Sequence, residues 1–71
     1  MKAIVFEWGH PQYNITDIKV VVDDVKYIET KDGFTYLYRK EKSKIVAGCY
    51  ALDVRGVFAN SDVKKIIMED D

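Results

Sequence analysis

A chain of 71 residues makes one small domain, 1–71, and a chain this short withdraws only about 60 to 65% of its unfolded surface from water. Apolar residues at 48% against charged residues at 32% exclude a disordered polymer, and a formal charge of −1 excludes both a global basic field for nucleic acid and an acidic one that imitates it. The single cysteine, Cys49, excludes an internal disulfide, and no run approaches the roughly 20 apolar residues of a membrane-spanning helix.

The N-terminus also lacks the basic start and apolar run of a signal peptide, so the expected location is cytoplasmic, with no membrane partner. Without a secretion route, the glycosylation pattern Asn14-Ile15-Thr16 reads as a chance match.

Met1 to Trp8 alternates bulky Ile4, Phe6 and Trp8 with Ala3, Val5 and Glu7, the pattern of a strand whose bulky side faces the core. Gly9-His10-Pro11-Gln12 ends it, because Pro11 has no amide proton for a ladder and turns His10 away from helix. Ile15 to Val22 resumes a strand with Ile18, Val20 and Val22 on one face. Asp23-Asp24 stops it, since aspartate favours turns over strands.

Val25 to Lys40 carries the clearest local instruction. Two runs rich in β-branched and aromatic residues flank Asp32-Gly33, where Gly33 supplies the positive φ of a tight hairpin turn. A two-residue loop pairs Ile28 with Leu37. A three-residue loop, Lys31-Asp32-Gly33, pairs Ile28 with Tyr36, and it is the preferred reading because a long residue before Asp-Gly resembles a type I turn. In both registers Phe34, Tyr36 and Tyr38 share one face. Large aromatics are usually buried, so this stripe reads first as core and second as a candidate surface.

Arg39-Lys40-Glu41-Lys42-Ser43-Lys44 has four basic residues, one acidic and none apolar, which marks an exposed connection. Ile45 to Tyr50 is expected as a buried strand, with a helix over 42–52 as the alternative from the i, i+4, i+7 spacing of Ile45, Cys49 and Leu52. Strands then run from Arg55 to Ala59 and from Val63 to Met68 around an Asn60-Ser61-Asp62 turn. Glu69-Asp70-Asp71 forms a frayed acidic tail.

These elements predict an all-β antiparallel domain of five to seven strands, a small meander or a partly closed barrel, with at most one short helical turn. The expected core is Ile4, Phe6, Val20, Ile28, Leu37, Val46, Val57 and Ile66, and the expected edge strands are Met1 to Trp8 and Arg55 to Ala59.

No catalytic, cofactor or metal constellation is visible in the sequence. His10 and Cys49 stand too far apart for a zinc pair, Asp23 and Asp24 would face opposite ways on a strand, and the four glycines form no phosphate-cradling loop. The expectation is therefore a non-enzyme without cofactor: a protein-interaction module that binds a protein partner or itself as a homo-oligomer. The second reading is a small barrel that binds single-stranded nucleic acid, stacking bases on Phe34, Tyr36 and Tyr38 beside Arg39, Lys40, Lys42 and Lys44. Those seven residues form the candidate interaction surface under either reading.

Overall fold

The structure, a computed structural model, describes residues 1–9, 11–13, 18–45 and 53–70. Among the described residues it is all-β, with six strands: β1 (Lys2–Glu7), β2 (Ile18–Val22), β3 (Tyr27–Lys31), β4 (Phe34–Tyr38), β5 (Val54–Ala59) and β6 (Val63–Glu69). They form two antiparallel three-stranded sheets, ordered β2-β1-β6 and β3-β4-β5, and do not close into a barrel. Three single turns of 3-10 helix, at Pro11–Tyr13, Lys42–Lys44 and Asn60–Asp62, interrupt the described strands where the sequence suggested at most one.

The chain crosses between sheets twice, over short links fixed by backbone hydrogen bonds. In the β2–β3 link the Val25 amide donates to the Met1 carbonyl at 2.7 Å and the Lys26 amide to the Tyr38 carbonyl at 2.8 Å, so one dipeptide is bonded to both sheets. In the β5–β6 link the Asn60 amide donates to the Gly33 carbonyl at 2.9 Å, and the Trp8 amide donates to the Asp62 carbonyl at 3.0 Å. These paired amides tie each link to the strands beside it.

The hairpin is present, but its loop has two residues. Lys31 pairs with Phe34 and Ile28 with Leu37, around Asp32 at φ 53 and Gly33 at φ 82. Two consecutive positive φ values define the type I′ turn, whose twist matches that of the flanking strands. Burial explains why it wins over the three-residue loop. Leu37 is fully buried and Ile28 packs against the same cluster, whereas a one-residue slip would carry one of the two strands' apolar set to the opposite face.

The core is built on Ala3, Val5, Val25 and Leu37, with Val20, Val22, Ile28, Phe58, Val63, Ile66 and Met68 packed around it. This reverses the expected facing of β1. Ala3 lies between Val22 and Met68 and Val5 between Val20 and Ile66, so the small side of β1 faces the core because its neighbours on both flanks supply the bulk. Ile4 is buried as expected but on the outer side of β1, Phe6 beside it is half-buried, and Trp8 is 54% exposed.

Nor is β1 an edge: it is the central strand of its sheet, while β5 is an edge as expected. Of the other expected core residues, Val57 points outward and is exposed, and Val46 lies outside the described residues. So does the expected strand over 45–50 from residue 46 onward, together with its helical alternative. Ile45 follows the Lys42–Lys44 turn in extended conformation. Glu69, read as frayed tail, pairs with Lys2 as the last residue of β6.

Gly56 sits opposite Leu37, and its missing side chain is used. A Cβ there would lie 3.1 Å from Cε2 of Phe58 and 3.8 Å from Cδ1 of Leu37, so the glycine leaves room for the Phe58 ring to reach the core.

The molecule is elongated, 42 × 29 × 15 Å, with a radius of gyration of 13.1 Å. A compact domain of this length has a radius near 11 Å. Its accessible surface of 5042 Å² likewise exceeds the roughly 4,500 Å² typical of a folded monomer of this mass.

Candidate interaction surfaces

Strand alternation places Phe34, Tyr36 and Tyr38 together on the outer face of the second sheet, in three cross-strand rows: Lys31–Phe34–Ala59, Glu29–Tyr36–Val57 and Tyr27–Tyr38–Val54. The three aromatics differ in burial. Tyr38 is buried, Tyr36 half-buried and Phe34 44% exposed. The Tyr38 ring stacks on Tyr27, with centroids 5.5 Å apart, and on Tyr36 at 6.3 Å, and its hydroxyl lies 3.4 Å from Oε2 of Glu29 as donor. Rings that stack on one another in an offset, near-parallel arrangement stabilise the sheet but have fewer free faces for a ligand. Beside them lies a shallow depression of about 310 Å³ lined by Glu29, Lys31, Asp32, Tyr36 and Tyr38.

The basic segment is exposed, as expected, and its cations are engaged within the chain. Arg39 Nε donates to Oδ1 of Asp53 at 3.1 Å, Lys40 Nζ approaches the same oxygen at 3.4 Å, and the Arg39 amide donates to the Asp53 carbonyl at 2.9 Å. Lys44 lies 3.9 Å from the Glu41 carboxylate. Lys42 reaches the aromatic face, with its ammonium 5.9 Å from the centre of the Tyr27 ring. Phe34, at the far end of the stripe beside the hairpin turn, is separated from this segment by the length of β4.

Asp53 closes the segment that starts at Arg39, and sequence reading gave it no part. Its carboxylate is buried; burial alone would raise its pKa, but the hydrogen bonds and charges of Arg39 and Lys40 outweigh that and hold it below the ordinary aspartate value. A depressed carboxylate stabilises the fold above the unfolded-state pKa of about 3.9, and that contribution is lost as pH falls through the folded value. Wild-type protein is therefore expected to melt above Asp53→Asn at pH 6, with the gap in melting temperature closing as pH falls below about 4. A gap that stays constant down to pH values near 2.5 would show that the ionised pair contributes nothing.

A second surface was missed by the sequence reading, because it required knowing that β1 is central. On the outer face of the first sheet, Val21, Ile4 and Ile67 form one cross-strand row and Lys19, Phe6 and Lys65 the next. Val21 is 49% and Ile67 40% exposed, while Ile4 between them is buried. Lys65 Nζ lies 4.8 Å from the centre of the Phe6 ring. Past the bulge between Phe6 and Glu7, Lys64 covers Trp8 at 5.1 Å. Each such cation–aromatic contact adds about 0.5 to 1 kcal/mol at exposed sites. The signal available in the sequence was the alternation itself: Val21 and Ile67 are out of phase with the inward residues of their strands.

Among the described residues, no group of three His, Cys, Asp or Glu side chains is placed to hold a metal ion. No described helix is long and apolar enough to cross a membrane. No protein-family model, curated protein or solved structure matches this chain.

Proposed function

We propose that the chain is a non-catalytic protein-interaction module of the cytoplasm that works by self-association through an open sheet face. The observation that carries this reading is the Val21–Ile4–Ile67 row, a contiguous apolar strip in the middle of a sheet face with both outer members well exposed. Apolar residues grouped across three strands in this way offer a surface that another chain can cover. The surface area and radius, both above those of a compact monomer, point the same way.

Single-stranded nucleic acid ranks second. Tyr38 is committed to the sheet, and Arg39 and Lys40 direct their charge to Asp53, which leaves the exposed Phe34, the half-buried Tyr36 and Lys42 as the contacts along the stripe.

Sedimentation equilibrium from about 10 to about 500 μM, alongside fluorescence anisotropy with labelled oligonucleotides at low and moderate salt, separates the two readings. A mass rising above 8.2 kDa with no oligonucleotide binding is the expected result. A constant 8.2 kDa species that binds oligonucleotides in a salt-dependent way would replace self-association by the second reading.

A further inference from the structure

The apolar row of the first sheet lies between two ends of opposite charge. On one side is the row Lys19–Phe6–Lys65; on the other, Lys2 pairs with Glu69, and Asp23 follows immediately after β2. The face therefore runs from two lysines, across Val21, Ile4 and Ile67, to two acids and one lysine. A two-fold contact uses the same patch on both subunits, so the patch must be complementary to itself, and a face that is basic at one end and acidic at the other meets that condition in one orientation.

We propose that the outer face of the β2-β1-β6 sheet is the contact of a two-fold homodimer, with a second copy stacked face to face and the symmetry axis running across the strands above Ile4. This rests on the self-association reading and specifies its surface and geometry. An axis across the strands sets Ile67 on the partner subunit's Ile67 and Val21 on the partner subunit's Val21. It also brings Lys65 opposite Glu69 of the partner subunit and Lys19 opposite Asp23 of the partner subunit. An axis along the strands would instead stack the Lys19–Phe6–Lys65 row on the same row of the second copy, placing like charges together. The charges thus select one of the two orientations in which sheets of this kind pack, and the aligned packing of twisted sheets, at about −30°, is compatible with it.

The area sets the strength. Three strands about 4.8 Å apart, contributing about five residues each at roughly 3.3 Å per residue, cover a plan area of about 240 Å². Side-chain relief makes the accessible surface larger than this plan area, yet still short of the roughly 800 Å² per partner in standard stable complexes, which places the contact among weak ones, for which we take a Kd of about 10 to 1,000 μM.

A charge-swap pair tests the geometry. Lys65→Glu alone sets acid against acid at two symmetry-related contacts, Glu69→Lys alone sets base against base, and an equimolar mixture restores Glu–Lys pairing at both. Both positions are exposed, so circular dichroism is expected to show wild-type folding in each variant. By sedimentation equilibrium at low salt, each variant alone is expected to dimerise about 10-fold more weakly than wild type, and the mixture to recover to within about 3-fold of it.

Variants that each associate as well as wild type would place the contact elsewhere and overturn this geometry, while leaving self-association standing. Weakening in both variants without recovery in the mixture would also overturn it, since Lys65 and Glu69 would not face each other. A wild-type protein that stays monomeric throughout would remove the self-association reading itself.

Discussion

Replacing Leu37 by alanine is expected to destabilise the protein by about 3 to 5 kcal/mol, a large part of the roughly 4 to 11 kcal/mol that a domain of this length possesses. Leu37 is fully buried at the centre of β4, opposite Ile28 and Gly56, and belongs to the cluster with Ala3, Val5 and Val25 that joins the two sheets. Its loss opens a cavity in the cluster that both sheets share, and the cost is set by how far the surrounding side chains collapse into it. Thermal unfolding followed by circular dichroism gives the answer directly, with the midpoint falling by about 4 to 8 °C for each kcal/mol lost. A cost under about 1 kcal/mol would mean that the two sheets do not share a core at this residue.

The second large effect separates framework from surface within the aromatic stripe. Tyr38→Ala is expected to cost about 3 to 5 kcal/mol, comparable to truncating a buried phenylalanine, because the ring is buried and stacked between Tyr27 and Tyr36. Tyr38→Phe keeps the ring and removes a hydroxyl whose contact to Glu29 is long at 3.4 Å, so its cost stays within about 1 kcal/mol. Phe34→Ala, at an exposed end of the same strand, is also expected to cost no more than about 1 kcal/mol. Urea denaturation of the three variants gives the ranking. A Tyr38→Ala variant as stable as Phe34→Ala would return the whole stripe to the surface and reopen its use as a stacking platform.

What could be read in the sequence followed from period-two alternation and turn chemistry, both local. Phe34 to Tyr38, the Ile18–Val20–Val22 face and the strands around Asn60-Ser61-Asp62 could all be read because each depends on neighbours within a few residues. Facing on β1 could not. Ala3 and Val5 become the core side only through Val20, Val22, Ile66 and Met68, which reach them from strands roughly 15 and 60 residues away along the chain, and a strand read alone assigns its bulky side inward.

The hairpin register was decided in the same non-local way. Asp32-Gly33 is compatible with two loops, and the burial of Leu37 against the other sheet's residues selects one. For the candidate surface, the charge run from Arg39 to Lys44 was legible, but the ion pairs of Arg39 and Lys40 were not, because Asp53 meets them only after the chain returns to start β5. The lysine-flanked apolar row on the first sheet became visible only once β2 and β6 were known to flank β1.

Self-association through that row is tested most directly by backbone amide spectra of ¹⁵N-labelled protein diluted from about 1 mM to about 20 μM, a range spanning the expected Kd. A two-fold contact above Ile4 predicts concentration-dependent shifts at Ile4, Phe6, Lys19, Val21, Lys65, Ile67 and Glu69, and little change at Phe34, Tyr36 or Val57. Shifts confined to the second sheet, or spectra that do not change on dilution, would contradict it.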